Sequence, residues 1–307
     1  MDRELWTSIL RAVQRAAARV GWNGGRRKPV YANWLIVAMY IWSVWHDRPL
    51  SWACRRGSYH ALFRPRTLPS ISQFTRRVKS ADCQRILQLV NDRFAQRGMM
   101  TEAVYIDGKP LPVSPVSKDR DAKRGKISGA FARGYKLYAA ANATRRIVCW
   151  SVMGLNEDEK TVARHALLPN LPPLSRDGLV LTDSHYDSAP LHQQVCEPLD
   201  VRLVHPLRGQ NRAGGKNRWW KLRKMPASRR ALVHLWANHL PLMRFVFKAR
   251  QQIERVFGVL TCTGGGLTHL PAWVRGLERV RRWVGVKIVL YNARLELAAR
   301  LQAQTPA

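Results

Sequence analysis

Apolar residues recur at helical spacing through the first hundred positions and then shift to short alternating or continuous runs, and this change of period organises the chain. Leu5, Ile9, Val13, Ala16 and Val20 line one stripe behind a capping Asp2. Residues 2–20 therefore predict an amphipathic helix, with Arg11, Arg15 and Arg19 off the stripe. A basic loop with Gly24-Gly25 and Arg26-Arg27-Lys28 follows, and residues 31–46 read as a buried helix. Ser70 caps a segment at 71–79, and Ser80 caps one at 81–97 whose stripe is Ile86, Leu87, Val90 and Phe94. The first hundred residues are expected to be all helical.

From Ala103 the runs become short, β-rich and bounded by turn residues. Residues 104–113, 135–143, 147–153, 179–182 and 201–204 predict five strands, with helices at 157–168 and 188–196. A meander followed by alternation is the order of a mixed sheet with helices. Residues 205–240 break the pattern and read as an insertion or long loop, in which Trp219 and Trp220 stand among Lys216, Arg218, Lys221, Arg223 and Lys224. Basic residues around paired indoles suit phosphate contact with base stacking; docking of the loop onto the core is the alternative. Residues 242–260 form an amphipathic stretch stopped by Gly264-Gly265-Gly266. A final helix at about 271–302 carries the core stripe Trp273, Leu277, Val280, Val284, Ile288, Tyr291 and Leu295. The expected organisation is a helical DNA-binding or accessory domain at 1–100 and a second domain at 101–307 with an insertion at about 205–240.

With 307 residues and 46% hydrophobic content the chain can build a packed core, which excludes a disordered polymer. Its 52 Lys and Arg against 20 Asp and Glu give a net charge of +32. Such a charge calls for a polyanionic partner, and double-stranded DNA is the economical one. The charge is uneven: residues 1–100 carry a net +13, residues 101–200 only +1, and residues 201–307 +18. Two basic arms thus flank a nearly neutral middle. Arg76, Arg77 and Lys79 on a short helix suit a helix-turn-helix reader of a DNA end, or equally a helical cap with solvated basic faces. The five cysteines form no Cys-x-x-Cys pair, which argues against structural zinc. The longest apolar stretch, at 34–45, is too short to span a bilayer, so a cytoplasmic, nucleoid-associated protein is expected.

Against this basic background three carboxylates stand out. Asp107 ends the apolar run Val104-Tyr105-Ile106, Asp183 follows Leu179-Val180-Leu181-Thr182, and Glu254 lies at the margin of the apolar face of its helix. Two strand ends and a helix can converge on one pocket, and hard divalent cations take such oxygen ligands. Each acid also has an ordinary structural reading: a turn for Asp107-Gly108, a cap for Asp183-Ser184, a surface position for Glu254. Asp187 is read as the cap of the helix beginning near Ser188, and Arg250 as an i,i+4 partner of Glu254.

Their contexts favour the chemical reading. Val104-Tyr105-Ile106-Asp107-Gly108-Lys109-Pro110 resembles the first catalytic motif of bacterial insertion-sequence transposases of the DDE type. Leu181-Thr182-Asp183-Ser184-His185-Tyr186 resembles their second, and Arg250-Gln251-Gln252-Ile253-Glu254-Arg255 their third. Gly134-Tyr135-Lys136-Leu137 also matches a segment common in that family. Phe247 and Thr261 stand where many relatives have Tyr and Lys around the third acid, and His185 where a small residue is frequent. The resemblance implies a ribonuclease H-like mixed sheet flanked by helices, preceded by the all-helical N-terminal domain. It also implies Asp107, Asp183 and Glu254 as catalytic ligands of Mg²⁺, with Mn²⁺ as a substitute. Arg250, Lys136, Arg218, Trp219, Trp220, Lys221, Arg76 and Arg77 would support the site or bind DNA. The implied activity is hydrolysis of a phosphodiester at element ends and transfer of the 3′-end to target DNA, by a homodimer or larger assembly. An inactive relative acting as a DNA-binding repressor, and a nuclease that does not join ends, are the alternative readings.

Overall fold

The computed structural model describes residues 2–21, 30–127, 129–207, 225–262, 266–267 and 270–304. The chain divides into two compact units, one of Met1–Arg97 with Leu260–Ala307 and one of Gly98–Val259. The last 48 residues thus group with the N-terminal helices and not with the sheet. A continuous apolar stripe does not say which partner it covers, so sequence order alone placed that helix with its neighbours in the chain.

The first unit is helical. Helix α1 (Asp2–Val20) buries Leu5, Trp6, Ile9, Val13 and Ala16, the stripe read from its spacing. Helix α2 (Asn33–Trp45) is buried at every position from 35 to 44, as an element covered on all sides must be. Short α3 (Leu50–Ala53) leads through irregular chain to α4 (Ile71–Val78), which opens with a capping box between Ser70 and Gln73. Helix α5 (Ala81–Ala95) is capped by the Ser80 side chain. The C-terminal helix of this unit (Leu277–Gln304) begins six residues later than expected, after a turn that leaves Trp273 half-exposed instead of in the core. It packs on α1, α2 and α5.

The second unit is built on one mixed sheet: β1 (Thr101–Pro112), β2 (Lys123–Ile127), β3 (Ala130–Asn142), β4 (Ile147–Gly154), β5 (Leu174–Leu181) and β6 (Arg202–Val204). Its order is β2-β3-β1-β5-β6, with β4 also paired to β3. Strands β1, β3 and β4 run antiparallel as a meander, while β5 and β6 continue parallel to β1. This is the mixed α/β arrangement with flanking helices that the ribonuclease H-like reading expects. Strand β2, Lys-Arg-Gly-Lys-Ile, was not predicted, because it has no apolar alternation and is specified by its pairing with β3.

Between β4 and β5 the chain makes α6 (Glu159–Val162), widening into a π turn at Ala163–Leu167; α7 (Ala189–Leu191) widens likewise at His192–Cys196. Val162, Leu167, Leu191 and Val195 from these segments pack with Val104, Ile106, Tyr138, Val148, Val180 and Leu203 of the sheet. The expected insertion at 205–240 contains helix α8 (Ala227–Asn238), tied to the sheet where the Trp236 indole donates to the His205 carbonyl at 2.9 Å. The single expected helix at 242–260 is two, α9 (Leu240–Lys248) and α10 (Gln251–Cys262). Between them Ala249 and Arg250 donate to the carbonyls three residues back. This tightened turn breaks the helix without any glycine or proline to announce it.

Candidate active site

Strand pairing explains how residues 76 apart in sequence come together. Tyr105 of β1 is the register partner of Leu181 on the adjacent parallel strand β5. Asp107 and Asp183 each lie two residues further on, so both emerge at the same level of neighbouring strands, on the side chain alternation shared with Tyr105 and Leu181. Neighbouring strands are about 4.8 Å apart. Asp107 lies within β1, which runs on to Pro112, and pairs with Ala139 of β3. Asp183 lies just past the end of β5, where the Thr182 N–H donates to the Val204 carbonyl.

Asp107 is held from two sides. Its Oδ1 accepts the Gly108 N–H at 2.8 Å, and its Oδ2 accepts from Arg250 at 2.8 Å. The other terminal nitrogen of Arg250 donates to Glu254 at 3.0 Å, so one guanidinium joins the first and third acids of the motif set. Glu254 is well exposed and Arg250 is not. Burial pushes the Asp107 carboxyl above the ordinary carboxylate range; the Arg250 charge and the Gly108 N–H oppose this, and the charges of Asp183 and Glu159 add to it. Asp183 caps the turn Ser184–Tyr186: its Oδ1 accepts the His185 N–H at 2.8 Å and its Oδ2 lies 2.9 Å from His185 Nδ1.

Sequence reasoning missed a further acid. Glu159 opens α6, where the Asp158 side chain accepts the Thr161 N–H, and its Oε1 forms an ion pair with Lys136 Nζ. Ligand atoms of Glu159, Asp183 and His185 all lie within 4.8 Å of one another. The signal available in sequence was weak, since an acid at the first turn of a helix is an ordinary helix-stabilising placement. At Gly108 the outer end of the Lys136 side chain lies where a Cβ would be, so any larger residue there would shift Lys136. Asp107-Gly108 and Gly134-Tyr135-Lys136 are thus parts of one local packing solution.

The other expected site residues are placed as follows. Lys136 reaches Glu159, and Arg250 reaches Asp107 and Glu254. Arg76 is exposed on α4 of the helical unit, while Arg77 donates to the Tyr31 carbonyl at 3.1 Å and to Asn33, holding that unit together. Arg218, Trp219, Trp220 and Lys221 lie outside the described residues. Asp187 does not cap the next helix; it is buried and pairs with Arg229 at 2.8 Å.

Carboxylates drawn together in a partly buried setting, with an imidazole at their edge, form a donor set that fits a divalent cation. Arg250 supplies a positive charge between two of the acids, and Lys136 supplies one to another. No helix among the described residues is long and apolar enough to cross a membrane.

No curated protein matches the chain. Among solved structures, a cryo-EM structure of a piggyBac transposase synaptic complex with hairpin DNA is similar at 10% identity and a TM-score of 0.47, covering 98% of this chain and 73% of that chain. The model of the transposase DDE domain matches residues 98–293, more than half of the sequence and all three acid motifs. On that match the chain belongs to the transposase DDE domain family.

Proposed function

We propose that this protein is a DNA transposase that binds the ends of an insertion sequence in the nucleoid, hydrolyses a phosphodiester there, and joins the resulting 3′-hydroxyl to target DNA. The observation that carries the reading is the equal placement of Asp107 and Asp183, two residues past a paired position on adjacent parallel strands, in a chain of this family.

Asp107, Asp183 and Glu254 are the acids assigned to hold Mg²⁺, or Mn²⁺ in its place. When bound, the ions supply the charge that activates an attacking oxygen and stabilises a departing one in an in-line displacement. The chain's own residues supply positioning. Arg250 fixes the direction of Asp107 and Glu254, and the His185 N–H and ring fix Asp183. Burial around Asp107 keeps water from screening the site and strengthens each charge interaction within it. The two basic arms contact phosphates without reading sequence, and a homodimer or larger assembly brings two ends together.

The test is cleavage and joining of a DNA carrying the inverted repeats that flank the reading frame. Asp183→Asn is expected to abolish Mg²⁺-dependent nicking while leaving binding of the same DNA within a few-fold. Affinity should fall with salt at a log–log slope of about −0.9 per phosphate contacted. Unchanged nicking by Asp183→Asn, or a slope near zero, would overturn the proposal. Nicking without transfer of the 3′-end would identify a nuclease, and binding without nicking by the wild-type chain a repressor.

A further inference from the structure

We propose that Glu159 is a ligand of the divalent ion, completing with Asp183 and His185 a mixed oxygen–nitrogen site beyond the three-acid motif, and that this site takes Mn²⁺ in preference to Mg²⁺. The inference rests on the metal-dependent reading above and extends it to two residues that the motifs leave out.

Three observations meet at this point. Ligand atoms of the three residues lie within 4.8 Å of one another, contributed by two different segments: the first turn of α6, and the turn that follows β5. Lys136 engages Oε1 of Glu159; Oε2 is sealed from solvent and has no hydrogen-bond partner among the described residues. The Tyr186 side chain, next to His185 in sequence, is completely buried, and its hydroxyl also has no partner among the described residues. A buried acceptor or donor left in this way loses its hydration without compensation. One orphan acceptor within this group and one orphan donor near the same carboxylates suit an occupant that accepts electron pairs and brings its own hydration. The charges of Glu159, Asp107 and Asp183 all reach Tyr186, which places its side chain near these carboxylates.

The donor types select the ion. Carboxylates serve Mg²⁺ and Mn²⁺ alike, whereas imidazole favours first-row transition metals over Mg²⁺. Two carboxylates and one imidazole therefore weight the site towards Mn²⁺. Because its Nδ1 is 2.9 Å from Asp183, His185 is oriented by a residue of the same site, the kind of coupling that tunes a metal-bound histidine.

The experiment is a Mn²⁺ titration of the full-length protein followed by electron paramagnetic resonance, with Mg²⁺ as competitor. Wild type should bind Mn²⁺ more tightly than Mg²⁺. Glu159→Gln should weaken Mn²⁺ binding at least tenfold, and His185→Ala should narrow the Mn²⁺-to-Mg²⁺ preference. Asp183→Asn, the control for the underlying reading, should remove the site. If Glu159→Gln and His185→Ala bind as wild type does while Asp183→Asn does not, the proposal fails and the metal-dependent reading stands. If Asp183→Asn also binds as wild type does, that reading fails as well. Because Glu159→Gln disturbs the Lys136 ion pair, a second measurement uses unaltered protein: Fe²⁺ with ascorbate and peroxide should cut the backbone near 159 and 183, and excess Mn²⁺ should suppress it. Cuts confined to positions away from 159 would overturn the assignment.

Discussion

In the helical unit, Glu296 accepts both terminal nitrogens of Arg93 at 2.7 and 2.8 Å and is also paired with Arg300. In the same unit the fully buried Lys287 meets Asp47 at 2.5 Å and lies 4.9 Å from the centre of the Trp283 ring. In the sheet unit, burial raises the cost of ionising Asp107, and the charges of Asp183 and Glu159 add to it. The helical unit answers its buried charge with its own residues. The sheet unit instead gathers like charges around Asp107, a local arrangement that lowers stability and is kept where function requires it.

The largest expected effect tests this contrast directly. Asp107→Asn and Asp183→Asn should each lower the rate of DNA cleavage by at least about a hundredfold, the scale of losing one preorganised transition-state contact. Neither should lower the melting temperature appreciably, since the charge removed at 107 is one that burial disfavours and Asn at 183 keeps an oxygen that can accept the His185 N–H. Glu296→Gln, the same chemical change in the helical unit, should lower the melting temperature, because two arginines lose their acceptor charge. Thermal denaturation of the three variants beside the cleavage assay decides it; equal destabilisation by all three would dissolve the contrast.

Next comes the buried pair of the helical unit. Burial lowers the Lys287 ammonium below its ordinary range, and Asp47 counteracts this. Asp47→Asn keeps a residue that tolerates the left-handed backbone at that position, where φ is 50°, and removes only the charge. The expected loss is about 3 kcal/mol in urea denaturation, the lower end for a broken buried pair because Asp47 is itself partly exposed. Adding Lys287→Met to Asp47→Asn should recover most of it. No recovery would mean that packing, not the unpaired charge, sets the cost.

The two units also differ in how much of them is legible in the sequence. The α1 stripe Leu5, Ile9, Val13 and Ala16 is the buried face, and the caps at Ser70 and Ser80 mark helix starts, because helical order rests on contacts a few residues apart. The membership of the last helix was not legible, since its stripe reads the same whatever it covers. In the sheet unit the apolar strands show through their runs, but polar β2 exists through pairing alone. Asp107 and Asp183 were readable from their positions after apolar runs. The grouping of Glu159 with Asp183 and His185 was not, because it arises between segments distant in sequence. The break before α10 was hidden as well: Arg250 fits an uninterrupted helical pattern, and only its bond to Asp107 shows what the turned segment achieves.

A pH prediction probes a polar cluster of the sheet unit away from the acids. His192 Nε2 lies 3.0 Å from His205 Nε2, and Ser228 is at 3.0 Å from the other His192 nitrogen. Burial lowers His192 to about 4, with the His205 charge adding to the effect. The native state then binds fewer protons than the unfolded state between about 4 and 6.5, so stability falls as pH falls through that window. The loss should approach about 3 kcal/mol once pH is below the lowered value. Urea denaturation from pH 7.5 to 4 should show this slope, and His192→Gln should flatten it. An equally steep acid limb in that variant would move the cause to other groups.

The smallest effect separates two bonds made by one side chain. Arg250 binds Asp107, where both partners are largely buried, and Glu254, which is 59% exposed. An exposed i,i+4 pair contributes about 0.3–0.5 kcal/mol, so Glu254→Gln should barely change stability, although the proposed mechanism requires it to suppress cleavage. Water screens Asp107 far less, and its interaction with Arg250 should be the larger. Double-mutant cycles of Arg250→Met with Asp107→Asn, and of Arg250→Met with Glu254→Gln, measure the two coupling energies by urea denaturation. The Asp107 coupling should exceed the Glu254 coupling by at least twofold at 0.1 M salt, and only the Glu254 coupling should shrink markedly as salt rises, since screening acts mainly on exposed charges. Equal couplings with the same salt response would mean that Arg250 is a surface bridge to both acids, and Asp107 would lose the internal ion pair that distinguishes it from Glu254.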